Sequence, residues 1–179
     1  VGGQFTAYRG RPTGPITRNN LARINADGSL DETFNPNVNG AVRAIAVQPD
    51  GKVVIGGDFT GVQPGATTVT RNRLARLNVD GSVDTGFNPN LGGALQPQVL
   101  ALLIQPDGKV VAGGTFTTVQ ANGAATASTR NRLARFNADG TLDAAFDPNP
   151  NGVVLALAQH VENKIVVAGG FTSFQENGK

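Results

Sequence analysis

Residues 70–90 read TRNRLARLNVDGSVDTGFNPN, and the same phrase occurs at residues 17–37 as TRNNLARINADGSLDETFNPN and at residues 129–149 as TRNRLARFNADGTLDAAFDPN. Within it Asn-x-Asp-Gly-Ser/Thr supplies tight-turn chemistry around Gly28, Gly81 and Gly140, because glycine alone takes positive φ without steric cost. A second phrase lies next to it: VGGQFT at Val1, IGGDFT at Ile55, AGGTFT at Ala112 and VAGGFT at Val167. A third is an apolar run with a hairpin, AVRAIAVQPDGKVV at Ala41, QVLALLIQPDGKVV at Gln98 and VVLALAQHVENKIV at Val153. Pro49 presets φ for a type I turn and Gly51 closes it; Asn163 stands at the glycine position of the last copy, as expected of the next residue type to tolerate positive φ. Measured between Phe5, Phe59, Phe116 and Phe171, the period is about 55 residues.

These phrases organise the chain as one repeat domain over residues 1–179, with a partial copy at 1–6, repeats at about 7–60, 61–117 and 118–172, and a partial copy at 173–179. Each period carries two hairpins. Strands such as VLALLI and KVVIGG are apolar at alternating and intervening positions alike, as expected of strands covered on both faces, and their paired glycines predict close approach of a neighbouring backbone. Four short strands per period, tightly turned and covered on both sides, predict an all-β fold of β-propeller type: an array of four-stranded antiparallel blades, about three plus a partial one. A three-fold β-trefoil or β-prism is the alternative.

Composition agrees. The chain has 24 Gly and 10 Pro, which favours short strands and turns over long helices. Fifteen Lys and Arg against 13 Asp and Glu leave a net charge of +2, too even and too unclustered for a nucleic-acid surface. No apolar run reaches the roughly 18 residues of a membrane span, so membrane insertion is not expected. Without cysteine there is no disulfide framework and no thiolate metal site. The chain also has no Met and opens inside its own repeat, and about four to eight blades close a propeller ring; the expectation is a segment of a longer array, or blades of several chains sharing one ring.

The combination NRLARLNVDGSVDTGF followed by QPDGKVVAGG resembles the delta-60 repeat, a bacterial family classed as a β-propeller domain of unknown function. The resemblance spans almost the whole chain. It implies a propeller-type fold and a place in large secreted or surface proteins. Two features depart from the family's pattern: Asn-Pro-Asn or Asp-Pro-Asn follows each phenylalanine, and His160-Val161-Glu162 replaces Gln-Pro-Asp.

Catalytic residues are not expected. The one histidine, His160, has no second His or any Cys to work with and reads as a residue beside a turn. The carboxylates Asp27, Asp31, Asp80, Asp84, Asp139 and Asp143 follow the pattern Asn-x-Asp-Gly-Ser/Thr-x-Asp, which looks like the start of a calcium loop. No distal bidentate Glu completes an oxygen cage and the turn already explains Asp-Gly, so they are calcium candidates of second rank, and no cofactor is expected. Arg23, Arg76 and Arg135 recur at one strand position and are expected to pair with those aspartates between blades. Tyr8 aligns with Val62, Val119 and Phe174 and reads as packing material. The Gly-Gly pairs lack the following Lys-Ser/Thr of a phosphate loop.

The non-repeating residues lie after each Phe-Thr pair: AYRGRPTGPI, GVQPGATTV and TVQANGAATAS. Such per-repeat variation maps to surface loops. The chain contains no Asn-x-Ser/Thr sequon, but Thr67, Thr68, Thr70, Thr126, Ser128 and Thr129 could carry hydroxyl-linked sugars or meet a partner. The expected function is a non-enzymatic extracellular or cell-surface scaffold, adhesive or filament-forming, whose partners are further repeats or copies of itself. A lectin-like propeller binding glycans is the second reading and an enzyme using the propeller funnel the third; surface proteins complete the set of partners.

Overall fold

The structure, a computed structural model, describes residues 1–9 and 14–175. Its fifteen strands are, in order, β1 (Ala7–Tyr8), β2 (Ile16–Thr17), β3 (Val42–Val47), β4 (Val53–Gly57), β5 (Gly61–Val62), β6 (Val69–Thr70), β7 (Leu74–Leu77) and β8 (Leu91–Gly92). They continue as β9 (Val99–Ile104), β10 (Val110–Gly114), β11 (Thr118–Val119), β12 (Ser128–Thr129), β13 (Leu133–Phe136), β14 (Val154–Gln159) and β15 (Ile165–Gly169). Two short 3-10 turns, Ala121–Gly123 and Val161–Asn163, are the sole helical elements among the described residues.

Two equivalent antiparallel sheets form the centre, β3-β4-β7 and β9-β10-β13. On one side of them residues 1–3 lie against Leu21 and Ala22 through the Gly2–Leu21 bridge; on the other, β14 and β15 form a two-stranded sheet. The expected fourth strand is cut to a single bridge in each copy, Ile24–Leu30, Leu77–Val83 and Phe136–Leu142. The cause is the aspartate that follows. Its N–H still bonds the arginine carbonyl (Asp84 to Arg76 and Asp143 to Arg135, both 2.9 Å), but its own carbonyl then accepts from Phe87 or Phe146 and turns the chain away. Among the described residues no closed sheet is formed.

The hairpin turns follow the residues that predicted them. Gly51 and Gly108 both sit at φ 82°, and in the last copy Glu162 and Asn163 take φ 57° and 58°. The glycine pairs bring backbones together as expected: a Cβ on Gly57 or Gly114 would stand 2.0 or 1.9 Å from the carbonyl oxygen of Ala41 or Gln98. The preceding glycine does something further. A Cβ on Gly56 would lie 2.4 Å from Val99 Cγ1, and one on Gly113 would lie 2.4 Å from Val154 Cγ1, so each glycine is a notch that seats a valine of the next sheet.

Consequently the core lies between sheets. Val54 and Leu74 of the first central sheet and Phe87 in the loop after it share one buried cluster with Val99, Val110 and Phe136 of the next sheet and with Phe116 just past β10. Leu21, Phe34 and Val38 likewise share a cluster with Val42, Ile55, Phe59 and Leu77. Successive residues of β4 point to opposite sides, Val54 to one cluster and Ile55 to the other, as strand geometry requires.

A second row of small sheets was not foreseen. β1-β2, β5-β6 and β8-β11-β12 are built from two-residue strands, and Val38 bridges Val62. The residue after each Asn-Pro-Asn thus joins the hairpin of the following repeat.

Candidate functional site

The recurring charged residues converge on three equivalent platforms. Arg23, Arg76 and Arg135 lie over Phe34, Phe87 and Phe146, with guanidinium-to-ring distances of 4.3, 4.4 and 4.3 Å. Each arginine donates from Nε to the aspartate eight positions on: Asp31 at 2.8 Å, Asp84 at 2.8 Å and Asp143 at 2.9 Å. The expected pairing between blades is therefore corrected, because arginine and aspartate face each other across one hairpin. What crosses to the next sheet is the other end of the guanidinium, with Arg23 Nη1 donating to the Val79 carbonyl and Arg76 Nη1 to the Ala138 carbonyl at 2.7 Å. Lys52 and Lys109 add a second cation to Asp84 and Asp143, at 2.9 and 3.0 Å.

The calcium candidates are thereby accounted for one by one. Asp27, Asp80 and Asp139 accept from the backbone N–H and hydroxyl of Ser29, Ser82 and Thr141, the carboxylate closing its own turn. The hydroxyl bond chiefly holds these carboxyls below the ordinary range. Asp31 is lowered to about 2, first by the Thr33 hydroxyl and then by Arg23. At Asp84 and Asp143 burial works to raise the pKa, and the lysine and arginine bonds outweigh it, leaving both lowered. Among the described residues no three His, Cys, Asp or Glu side chains come together as a metal-holding group.

A buried arginine went unnoticed in the sequence. Arg18, Arg71 and Arg130 donate to the carbonyls of Thr17, Thr70 and Thr129 and reach across to Glu32, Asp84 and Ala144, tying down the loop that ends at each platform phenylalanine. The signal was the recurrence of Thr-Arg-Asn at one offset.

Amides form a polar row beside the small sheets. Asn19 donates to Asn37 at 2.6 Å, Asn72 to Asn90 at 2.6 Å and Asn131 to Asn149 at 2.7 Å. Two copies extend the chain: Asn90 to Gln120 at 3.2 Å and Asn149 to Gln175 at 2.8 Å. In the first copy Gln63 turns to the Ala66 carbonyl instead, and a cleft of about 430 Å³ opens among Asn19, Asn20, Asn37, Asn39, Gln63 and Thr68. His160 is exposed at its turn, and Tyr8 donates its hydroxyl to the Gly28 carbonyl at 2.9 Å.

A family model described as Domain of unknown function (DUF5122) beta-propeller matches residues 1–34, 48–87 and 105–146. The chain belongs to this family. Each matched block ends at a platform phenylalanine, Phe34, Phe87 or Phe146, and the second and third begin at the Gln-Pro-Asp-Gly turn. The family's pattern thus covers the arginine platforms and Asp-Gly turns, while the Asn-Pro-Asn connections and β14–β15 lie outside it. Membership in a β-propeller family takes precedence over the trefoil and prism alternatives. No curated protein matches the chain.

The candidate display residues Thr67, Thr68, Thr70, Thr126, Ser128 and Thr129 are all exposed. Gly10, Arg11, Pro12 and Thr13 of the first variable loop lie outside the described residues. No helix among the described residues is long and apolar enough to cross a membrane, which says nothing of strands.

Proposed function

We propose that this β-propeller domain is a non-enzymatic structural scaffold of an extracellular or cell-surface protein, contributing about three blades and a partial one to a larger array or filament. The carrying observation is how the recurring polar residues are used. Arg23, Arg76 and Arg135 are each bound to an aspartate of their own hairpin, and Arg23 and Arg76 also to the turn of the next sheet, so the repeat invests its recurring charges in holding its own frame and its junctions. Residues that differ between copies, Thr67 and Thr68 against Thr126 and Ser128, stand exposed in Gly- and Ala-rich loops suited to hydroxyl-linked sugars or adhesion. Labelling intact producing cells with a membrane-impermeant amine reagent tests the location: Lys52, Lys109 or Lys164 should be labelled without lysis, and labelling only after lysis would refute it.

A second reading, glycan binding, is favoured by the cleft at Asn37 and Gln63, whose uncharged amide and hydroxyl lining suits a neutral polyhydroxyl ligand. Glycan-array binding abolished by Asn37→Ala and Gln63→Ala would select it over the scaffold.

A further inference from the structure

Phe34 and Phe87 are each covered by the Asp-Gly turn of the following repeat. A Cβ on Gly81 would come within 3.1 Å of the Phe34 ring, and one on Gly140 within 3.1 Å of Phe87, so only glycine lets the turn sit so close. The same turns offer the carbonyls of Val79 and Ala138 to Arg23 and Arg76. The strand leading into each turn pairs with the free edge of its own sheet. β7 runs along β4 with Val53 opposite Leu77 and Gly56 opposite Leu74, and β13 runs along β10 in the same way.

At the third platform this partner is missing among the described residues. Arg135 lies over Phe146 as its counterparts do, but its Nη1 makes a long 3.4 Å contact with Gln105. Beside it opens a cavity of about 420 Å³ lined by Leu133, Arg135, Phe146, Pro148, Ile165 and Val167. Among the described residues the edge of β15 that corresponds to the β7-bearing edge of β4 carries no strand, and Val166 is 52% exposed.

We propose that the β15 edge and the Arg135–Phe146 cavity together form an acceptor site for one polypeptide segment of the class Leu-Ala-Arg-apolar-Asn-x-Asp-Gly, which adds as a strand to β15 and places its Asp-Gly turn over Phe146. The occupant is read from continuity with the two filled copies, where residues 74–81 and 133–140 supply this segment to equivalent surroundings. Strand addition supplies the backbone hydrogen bonds, and the phenylalanine and arginine supply selectivity. This site rests on the repeat-array part of the proposed function and is independent of a location outside the cell.

The probe is a fluorescein-labelled peptide of residues 74–87, LARLNVDGSVDTGF, titrated into the full chain and followed by anisotropy. Saturable binding is expected, weakened about tenfold or more by Phe146→Ala in the chain, the loss of one well-buried anchor. A peptide with Val at the Gly81 position should bind no better than a scrambled one. Amide hydrogen exchange gives an independent readout, with the peptide expected to protect Ile165–Gly169. Concentration-dependent association of the chain that the peptide reverses would show a second copy's turn using the same site and would equally support it. Absence of saturable binding, equal binding of the scrambled peptide, or unprotected β15 amides would overturn it.

Discussion

Phe87 and Phe146 hold the same place in consecutive repeats, each under an arginine that is bonded to an aspartate, yet Phe87 is fully buried and Phe146 only partly buried. The arginine and aspartate contacts are the same in both repeats. The difference is the neighbour: Phe87 lies beneath Gly140, and Phe146 beneath an open cavity. The buried clusters repeat the lesson, since the one shared by the central sheets has eleven fully buried members and the one reaching β14 and β15 has three, Val111, Leu133 and Val154. Stability in this molecule belongs to junctions between repeats, as expected of a stack with nearest-neighbour coupling.

Removing the ring at each place is the sharpest way to break the comparison. Phe87→Ala should cost about 3–5 kcal/mol in urea unfolding, whereas Phe146→Ala, with part of its surface already in water, should cost about 1–2 kcal/mol. Equal losses would mean that each repeat carries its own core. The valine notch gives the next largest effect. Gly113→Ala forces a methyl against Val154 and should cost about 1–3 kcal/mol, while the reverse change at the aligned position of β15, Ala168→Gly, should cost only the roughly 0.5–1 kcal/mol of added chain freedom.

Acid sharpens the electrostatic side. Asp31 has its folded pKa depressed to about 2, so its contribution is complete above the ordinary carboxylate range and is lost as pH falls through that range towards 2. Unfolding midpoints measured from pH 5 to pH 2 should fall less steeply in Asp31→Asn than in the parent chain. The smallest effect is expected where no junction is touched: replacing residues 64–68 by a Gly-Ser loop of equal length should shift stability by under about 0.5 kcal/mol. A large loss there would make that loop part of the frame.

Much of this frame could be read from single residues. Asp50-Gly51 and Asp80-Gly81 declared their hairpins, Asn163 declared a positive φ in glycine's absence, and Gly56-Gly57 declared close approach, because each is a local steric requirement with few solutions. The small sheets escaped because a two-residue strand leaves no periodicity to detect. The shortened fourth strand escaped because Asp84 serves both an ion pair and a chain reversal, and only the first was visible in its type. Left-handed backbone at Arg73 and Arg132, φ 66° and 63°, was likewise hidden behind a residue that gives no hint of it, although Asn20 in the first copy does. For the site, residue types pointed to the right arginines and aspartates but could not tell contact across one hairpin from contact between sheets.

The notches at Gly56 and Gly113 act as a gauge that measures a single methyl group. Val99 and Val154 pass it because no Cβ stands in their way. Ala168 occupies the aligned position in β15, paired to Ala156 as Gly56 is to Ala44, and its methyl fills the space a valine would need. A valine placed against it as Val99 and Val154 are placed against Gly56 and Gly113 would have to shift to make room. Each junction in this stack thus turns on the absence of one methyl group, the smallest difference two side chains can have.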